Sequence, residues 1–338
     1  MLNCLSYKNK LSFYQKTIII IMVILMKIKR RKIKKGPLIK LIIVILLLIL
    51  IIVGVKKIIY LNSDEYKLKE IGYNKKQIIE ILKLDKIYKK KIMSIDYNEF
   101  LLALFKEKYL IIDNIDRYIS YQKEHKDVST KDIVAIVNVN GDYDHYTNTS
   151  ETNIDDDLLM LVNKYNYLSK DYKPQNIVDV KNWYCYGSAQ LREDAYDAFI
   201  DMFNSAQKDD ITLIINSAYR DYEDQDDTYQ EFYDLHGKDE ADKIAARPGF
   251  SEHQTGLAID VTSYDETEDN SFEETKEFKW LQQNAYKYGF ILRYPKGKEA
   301  ITGYDYESWH YRYVGTEVAQ KIHDLDITFD EYYTYFVK

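Results

Sequence analysis

Between Leu38 and Val55 the chain reads LIKLIIVILLLILIIVGV, eighteen residues with a single charge at Lys40. A run this apolar has no polar face to turn toward water, so it is hard to seat in a small soluble domain even as a buried core helix. It is close to the ~20 residues needed to cross a bilayer core. Lys40 lies near one end, where its stem can reach the interface. The run therefore predicts a transmembrane anchor over 37–57. It is preceded by KIKRRKIKK, Lys27–Lys35, and cytoplasmic flanks are the ones enriched in Lys and Arg. Residues 1–36 are thus expected inside and everything after the span outside, in a single-pass protein of the cell membrane. The basic run could instead bind nucleic acid, but beside a span that is the weaker reading. An earlier apolar stretch, Thr17–Met26, has only ten residues and is too short to cross unaided. Translation beginning at Met26 rather than Met1 is an alternative for this region. No small-residue cleavage site follows the main span, which reads as an uncleaved anchor.

Charge narrows the partners. The first 57 residues hold 13 Lys or Arg and no acid, whereas the remainder carries 34 basic against 54 acidic side chains. Nucleic-acid affinity comes from neutralising phosphates with Lys and Arg, so an acidic ectodomain excludes nucleic acid as a partner. The two cysteines, Cys4 and Cys185, fall on opposite sides of the span, so no disulfide can staple the ectodomain.

Residues 58–157 read as a helical stalk or accessory region. KLKEIGYNKKQIIEILKL and YNEFLLALFKEKYLIIDNIDRYISYQKEH space their apolar residues at mostly helical intervals. A partner-binding role for the segment stands beside the stalk reading. Asp132–Asn140, DIVAIVNVN, has strand character and ends in a turn at Asn140-Gly141-Asp142. The acidic NIDDD of Asn153–Asp157 lacks the full calcium-loop spacing and reads as a solvated loop. From 158 to 338 a helical stretch around Ala189–Ala206, the apolar strand ITLIINSAYR and further mixed signals imply α+β rather than a regularly alternating parallel sheet.

Two of the six histidines sit in dense polar contexts. SEHQTGLAID, Ser251–Asp260, places His253 seven residues before Asp260, and YESWHYRY places Glu307 three before His310. A catalytic zinc site needs three protein ligands and one open position, and imidazole and carboxylate are suitable donors. His253, Asp260 and His310 meet that count and leave Glu307 as a carboxylate beside the metal. Such a group can take the proton of an attacking water and pass it to a leaving amine. Gly256 allows a tight turn between the first two ligands. Arg220 ends the SAYR segment after the strand, where its fixed fork can donate to an oxyanion or a carboxylate. Taken singly, each of these residues reads equally as a solvated or ion-paired surface group.

Together the segments resemble the zinc D-alanyl-D-alanine carboxypeptidases of the VanY-like group, relatives of the D-Ala-D-Ala dipeptidases with the D,D-peptidase or Hedgehog-type fold. SAYRDYEDQ resembles the family's S-x-Y-R segment ending in Gln, RPGFSEHQTGLAID its S-x-H-x-x-G-x-A-x-D segment, and ESWHYRYVG its E-x-W-H-x-R-Y-V-G segment. They occur in the family's order, and the likeness runs from about Leu158 to Gln320, including LMLVNKYNYL and GFILRYP. The resemblance implies Zn2+ as cofactor with His253, Asp260 and His310 as ligands, Glu307 as catalytic base and Arg220 as the group that steadies substrate and transition-state charge. Ser251 and Gln225 match positions implied to contact substrate, and Trp309 and Tyr311 to pack the site wall. Asp221 departs from the family, in which Ser often follows the Arg; this is expected to shift hydrogen bonding near Arg220. A small antiparallel sheet carrying the metal, with helices packed on it, is the implied fold.

The implied reaction removes the terminal D-Ala from peptidoglycan stem peptides, which lie outside the membrane within reach of a tethered ectodomain. Arg247, Arg293 and Arg312 are all candidates for binding the substrate's carboxylate. The alternatives are an L,D-carboxypeptidase or cross-link endopeptidase using the same residues, a zinc-binding wall module that has lost hydrolysis, and a structural membrane protein assembling through residues 58–125.

Overall fold

The computed structural model describes residues 35–264 and 270–338, so residues 1–34, with Thr17–Met26, Cys4 and most of the basic run, lie outside the described residues. The apolar segment forms one helix, Lys35–Leu61. Its stretch from Gly36 to Leu61 is long and apolar enough to cross a membrane, and none of it is buried against protein. The chain divides into two compact units, one ending at Asn98 and one running from Glu99 to Lys338.

In the first unit three short helices, Asp64–Ile71, Lys75–Ile81 and Lys86–Ile92, follow the long one. Leu68, Tyr73, Ile78, Ile81 and Ile92 are their buried residues. Ser63 caps the first of them, and Asn74 and Gln77 form a capping box on the second, which satisfies backbone N–H groups that a short helix would otherwise leave unpaired.

In the second unit, Asp132–Asn140 differs from the strand that its sequence suggests: Thr130–Asn138 is a helix capped by the Ser129 hydroxyl, which accepts from Asp132 N at 3.1 Å. Ile133 through Asn138 are all buried. Four of these six residues, Ile133, Val134, Ile136 and Val137, are β-branched, and a short continuous apolar run of that kind reads as a strand as readily as a helix. The turn after it does form, with Asn140 at φ 68°. This helix packs with Ile301 through Ala135, Ile136 and Val139, and a Cβ on Gly141 would come within 2.6 Å of the Ala300 carbonyl oxygen. Residues 99–157 lie in the same compact unit as the chain beyond 158. In the acidic NIDDD segment, Asp157 pairs with Arg192 at 2.8 Å and Asp156 accepts from the Tyr333 hydroxyl at 2.5 Å.

Strands β1 (Ser150–Glu151) and β2 (Asn166–Tyr167) pair in parallel, and β3 (Ile177–Asp179) pairs antiparallel with β4 (Gln190–Arg192). The main sheet has the order β5-β6-β8-β7, made of Ile214–Ser217, Ala258–Thr262, His310–Tyr313 and Phe290–Leu292, all antiparallel. Side chains alternate across a strand, and the alternation divides this sheet. Ile215, Ile259, Val261, Tyr311 and Phe290 join Phe199 and Met202 of the helix Glu193–Gln207 in the main core. Asp260, His310 and Arg312 occupy the alternate positions, where they are buried but polar. An α+β fold with a small antiparallel sheet is thus present as expected.

Candidate active site and metal centre

The register of the sheet puts Asp260 opposite Ser217 on one side and opposite His310 on the other. Two of the expected ligands are therefore neighbours on adjacent strands. The third arrives on a single 3-10 turn, Glu252–Thr255, with Ser251 as its cap accepting from His253 N at 3.3 Å. Gly256 then returns the chain to β6 at φ +68°, where a Cβ would lie 2.7 Å from Ile177 Cδ1. The position thus needs glycine both for its left-handed backbone and for its close packing.

His253 Nε2 lies 3.1 Å from Asp260 Oδ2, and His310 Nδ1 lies 3.0 Å from Asp260 Oδ1. One donor atom from each residue falls within 4.8 Å of the other two. Ligands about 2.0–2.1 Å from a tetrahedral ion sit roughly 3.4 Å apart, a spacing that the 4.8 Å bound on these three donor atoms accommodates. The outward nitrogen of each imidazole is also anchored. His253 Nδ1 meets the Ala218 carbonyl oxygen at 2.5 Å, and His310 Nε2 meets Glu252 Oε2 at 3.4 Å. Such outer contacts fix the tautomer and leave the inward lone pair for a metal. These donors fit a zinc ion.

Glu252 was not singled out in the sequence, although it adjoins a proposed ligand. It is wholly buried, and its Oε1 accepts from Arg293 Nε at 2.7 Å and from Arg312 at 2.9 Å. Burial would raise its pKa, but Arg293, Arg312 and His310 hold the carboxyl far below the ordinary range. Arg293 continues to Asp330 at 2.6 Å, and Asp330 accepts from Asn163. Arg312 also donates to the carbonyls of Leu158 and Met160. These partners correct the expectation for the arginines: Arg293 and Arg312 are inside the protein holding Glu252, and Arg247 is paired with Asp242 at 2.7 Å. Burial alone would push the His310 pKa down, yet its bonds to Asp260 and Glu252 outweigh that and lift it to about 10. The His253 pKa moves the other way, lowered chiefly by burial.

A cleft of about 430 Å³ opens over the three ligands. Glu307, Arg220, Gln225 and Ser251 all line it. The Glu307 carboxylate is 3.8 Å from His310 Nδ1. Arg220 follows β5 by three residues and reaches within 3.9 Å of Asp260 Oδ2, while its Nε is buried with no hydrogen-bond partner among the described residues. Gln225 donates to the Ala246 carbonyl at 2.8 Å and leaves its Oε1 buried and unpartnered. Asp221 turns out to be a helix cap, accepting from Glu223 N and Asp224 N at 3.1 Å each. Serine caps a helix equally well, so the departure at this position keeps the local structure. Trp309 lines the cleft and also packs in part against the main core, whereas Tyr311 is wholly buried in that core, on the face of the sheet opposite its neighbour His310.

Residues 188–316, which include every residue named for the site, match the family model VanY, D-alanyl-D-alanine carboxypeptidase. The chain is 42% identical over 188 residues to the putative carboxypeptidase YodJ of Bacillus subtilis, covering 53% of this chain and 67% of that protein. It is 40% identical over 138 residues to a D-alanyl-D-alanine carboxypeptidase of Enterococcus faecium, covering 40% of this chain and 42% of that protein. Among solved structures it resembles the LdcB LD-carboxypeptidase, with a TM-score of 0.53 and 39% identity over 56% of this chain and 91% of that one. The shared segments and the geometry they build agree, and the chain belongs to the VanY family of D-alanyl-D-alanine carboxypeptidases.

Proposed function

We propose that the protein is a membrane-anchored, zinc-dependent carboxypeptidase that removes the terminal D-alanine from peptidoglycan stem peptides outside the cell. One observation carries the reading: a buried triangle of two imidazoles and a carboxylate lies beneath a cleft that is also lined by Glu307, Arg220 and Gln225. The helix Lys35–Leu61 is read as the anchor.

His253, Asp260 and His310 would hold the zinc ion, which when bound supplies a Lewis acid for the scissile carbonyl and the attacking water. Glu307 takes a proton from that water as its oxygen bonds to the carbonyl carbon. The same carboxyl then returns the proton to the departing nitrogen as the C–N bond breaks, freeing D-alanine. Arg220 donates from its fixed fork to the oxygen on which negative charge develops. Ser251 and Gln225 orient the peptide along the cleft wall.

The likeness to the LdcB LD-carboxypeptidase supports a second reading, in which the same residues cut a tetrapeptide. Stem pentapeptides and tetrapeptides incubated with the protein, with and without a chelator, separate the two by the D-alanine released. Chelator-sensitive release from the pentapeptide is expected, and release from the tetrapeptide alone would move the assignment to L,D-cleavage. Release from neither substrate would overturn both readings in favour of an endopeptidase or a zinc-binding wall module.

A further inference from the structure

The helix Lys35–Leu61 has 27 residues, or ~40 Å at 1.5 Å per residue, against ~30 Å of hydrocarbon. If it crosses the bilayer, its last turn reaches the headgroups. The chain does not leave that point through a loose linker. The Ser63 hydroxyl donates to the Tyr60 carbonyl at 2.6 Å and accepts from Tyr66 N at 3.2 Å. Asn62 Nδ2 donates to the Ile58 carbonyl at 2.8 Å, and the Tyr60 and Tyr66 rings meet edge to face at 5.5 Å. This capped corner starts the next helix at Asp64, so the small helical unit is held at the membrane surface.

Its surface chemistry suits that place. Residues 56–91 contain eleven lysines and five acids, whereas residues 99–338 contain 25 basic and 48 acidic side chains. Ile79, Leu82 and Ile87 are exposed at 49%, 37% and 58%, interleaved in sequence with the exposed lysines 75, 76, 83, 86 and 90. A cavity of about 560 Å³ in the same unit is lined by Tyr60, Tyr73, Ile78 and Leu82, with Lys69 and Lys75 and one opposing acid, Glu65. Apolar side chains beside lysines are the pattern of a surface that lies in the headgroup layer.

We infer that this unit is a docking surface for anionic phospholipid headgroups of the bilayer that the helix crosses, with Lys69 and Lys75 on a phosphate and Ile79 and Leu82 against the acyl region. The inference rests on the spanning reading of Lys35–Leu61.

The test uses the full chain with Cys4→Ser, Cys185→Ser and Ile87→Cys, labelled with a fluorophore and placed in nanodiscs of phosphatidylcholine alone or with about a third phosphatidylglycerol. Quenching by acrylamide, a neutral aqueous quencher, is expected to be about three-fold weaker in the anionic discs. Replacing lysines 69, 75, 76, 83 and 86 with glutamine should abolish the difference while leaving pentapeptide cleavage unchanged. A chain that enters both discs and is quenched equally would overturn the docking surface alone, as would protection conferred only by an added anionic wall polymer. A chain that enters neither disc would overturn the spanning reading together with the docking surface.

Discussion

Replacing Glu252 with glutamine tests the buried charge network under the ligands. The substitution keeps shape and volume but removes the carboxylate that accepts from Arg293 and Arg312, both wholly buried. Arg293 would retain Asp330, while Arg312 would be left with carbonyl oxygens alone. Whichever way the amide turns, its NH2 group faces either a guanidinium or the N–H of His310. Removing one partner of a buried ion pair costs about 3–5 kcal/mol, a large share of the 5–15 kcal/mol that holds a typical domain. At roughly 2–4 °C per kcal/mol for a domain this size, the melting temperature should fall by roughly 6–20 °C. The assay is near-ultraviolet circular dichroism of the detergent-solubilised chain with chelator present, so that metal binding contributes nothing. Pairing Glu252→Gln with Arg312→Met should recover part of the loss, because it removes one of the stranded cations. A single-variant shift under about 3 °C, or a double variant whose losses simply add, would refute the reasoning.

Glu307→Gln should leave zinc content unchanged by elemental analysis while lowering kcat by about 10²–10⁴-fold, whereas His310→Ala should lose the metal and the activity together. Arg220→Ala should lower kcat by about 10²–10³-fold, and Arg220→Lys should restore little of it because a lysine lacks the planar fork; steady-state kinetics on a stem pentapeptide measures both. Asp221→Ser should be close to neutral in a thermal melt and Asp221→Ala should cost about 1 kcal/mol, the worth of a helix cap. Gly256→Ala should destabilise by about 1–3 kcal/mol, from its positive φ and the approach of Ile177.

The grouping of the proposed ligands, the proposed base and Arg220 was legible because each sits in a short ordered segment whose residue types suit one chemistry, and the strand register then brings those segments together. The apolar helix was legible from length and composition alone. Two things were not. Asp132–Asn140 looks like a strand because its continuous run of buried, largely β-branched residues suits either element. Glu252, Arg293 and Arg312 form one network only through contacts 41 and 60 residues apart in the chain. A sequence shows charged residues near a motif, and burial alone decides whether they face a substrate or each other.

The division of β6 and β8 into a core face and a ligand face bears on how such a chain can change length over evolutionary time. One residue inserted after His310 would reverse the facing of the strand residues that follow, turning Arg312 toward the core and Tyr311 toward the ligand face. Changes of length are therefore tolerated between the strands and forbidden within them. Relatives can acquire new loops around an unchanged pair of strands, so the rim of the cleft can diversify while its floor stays constant.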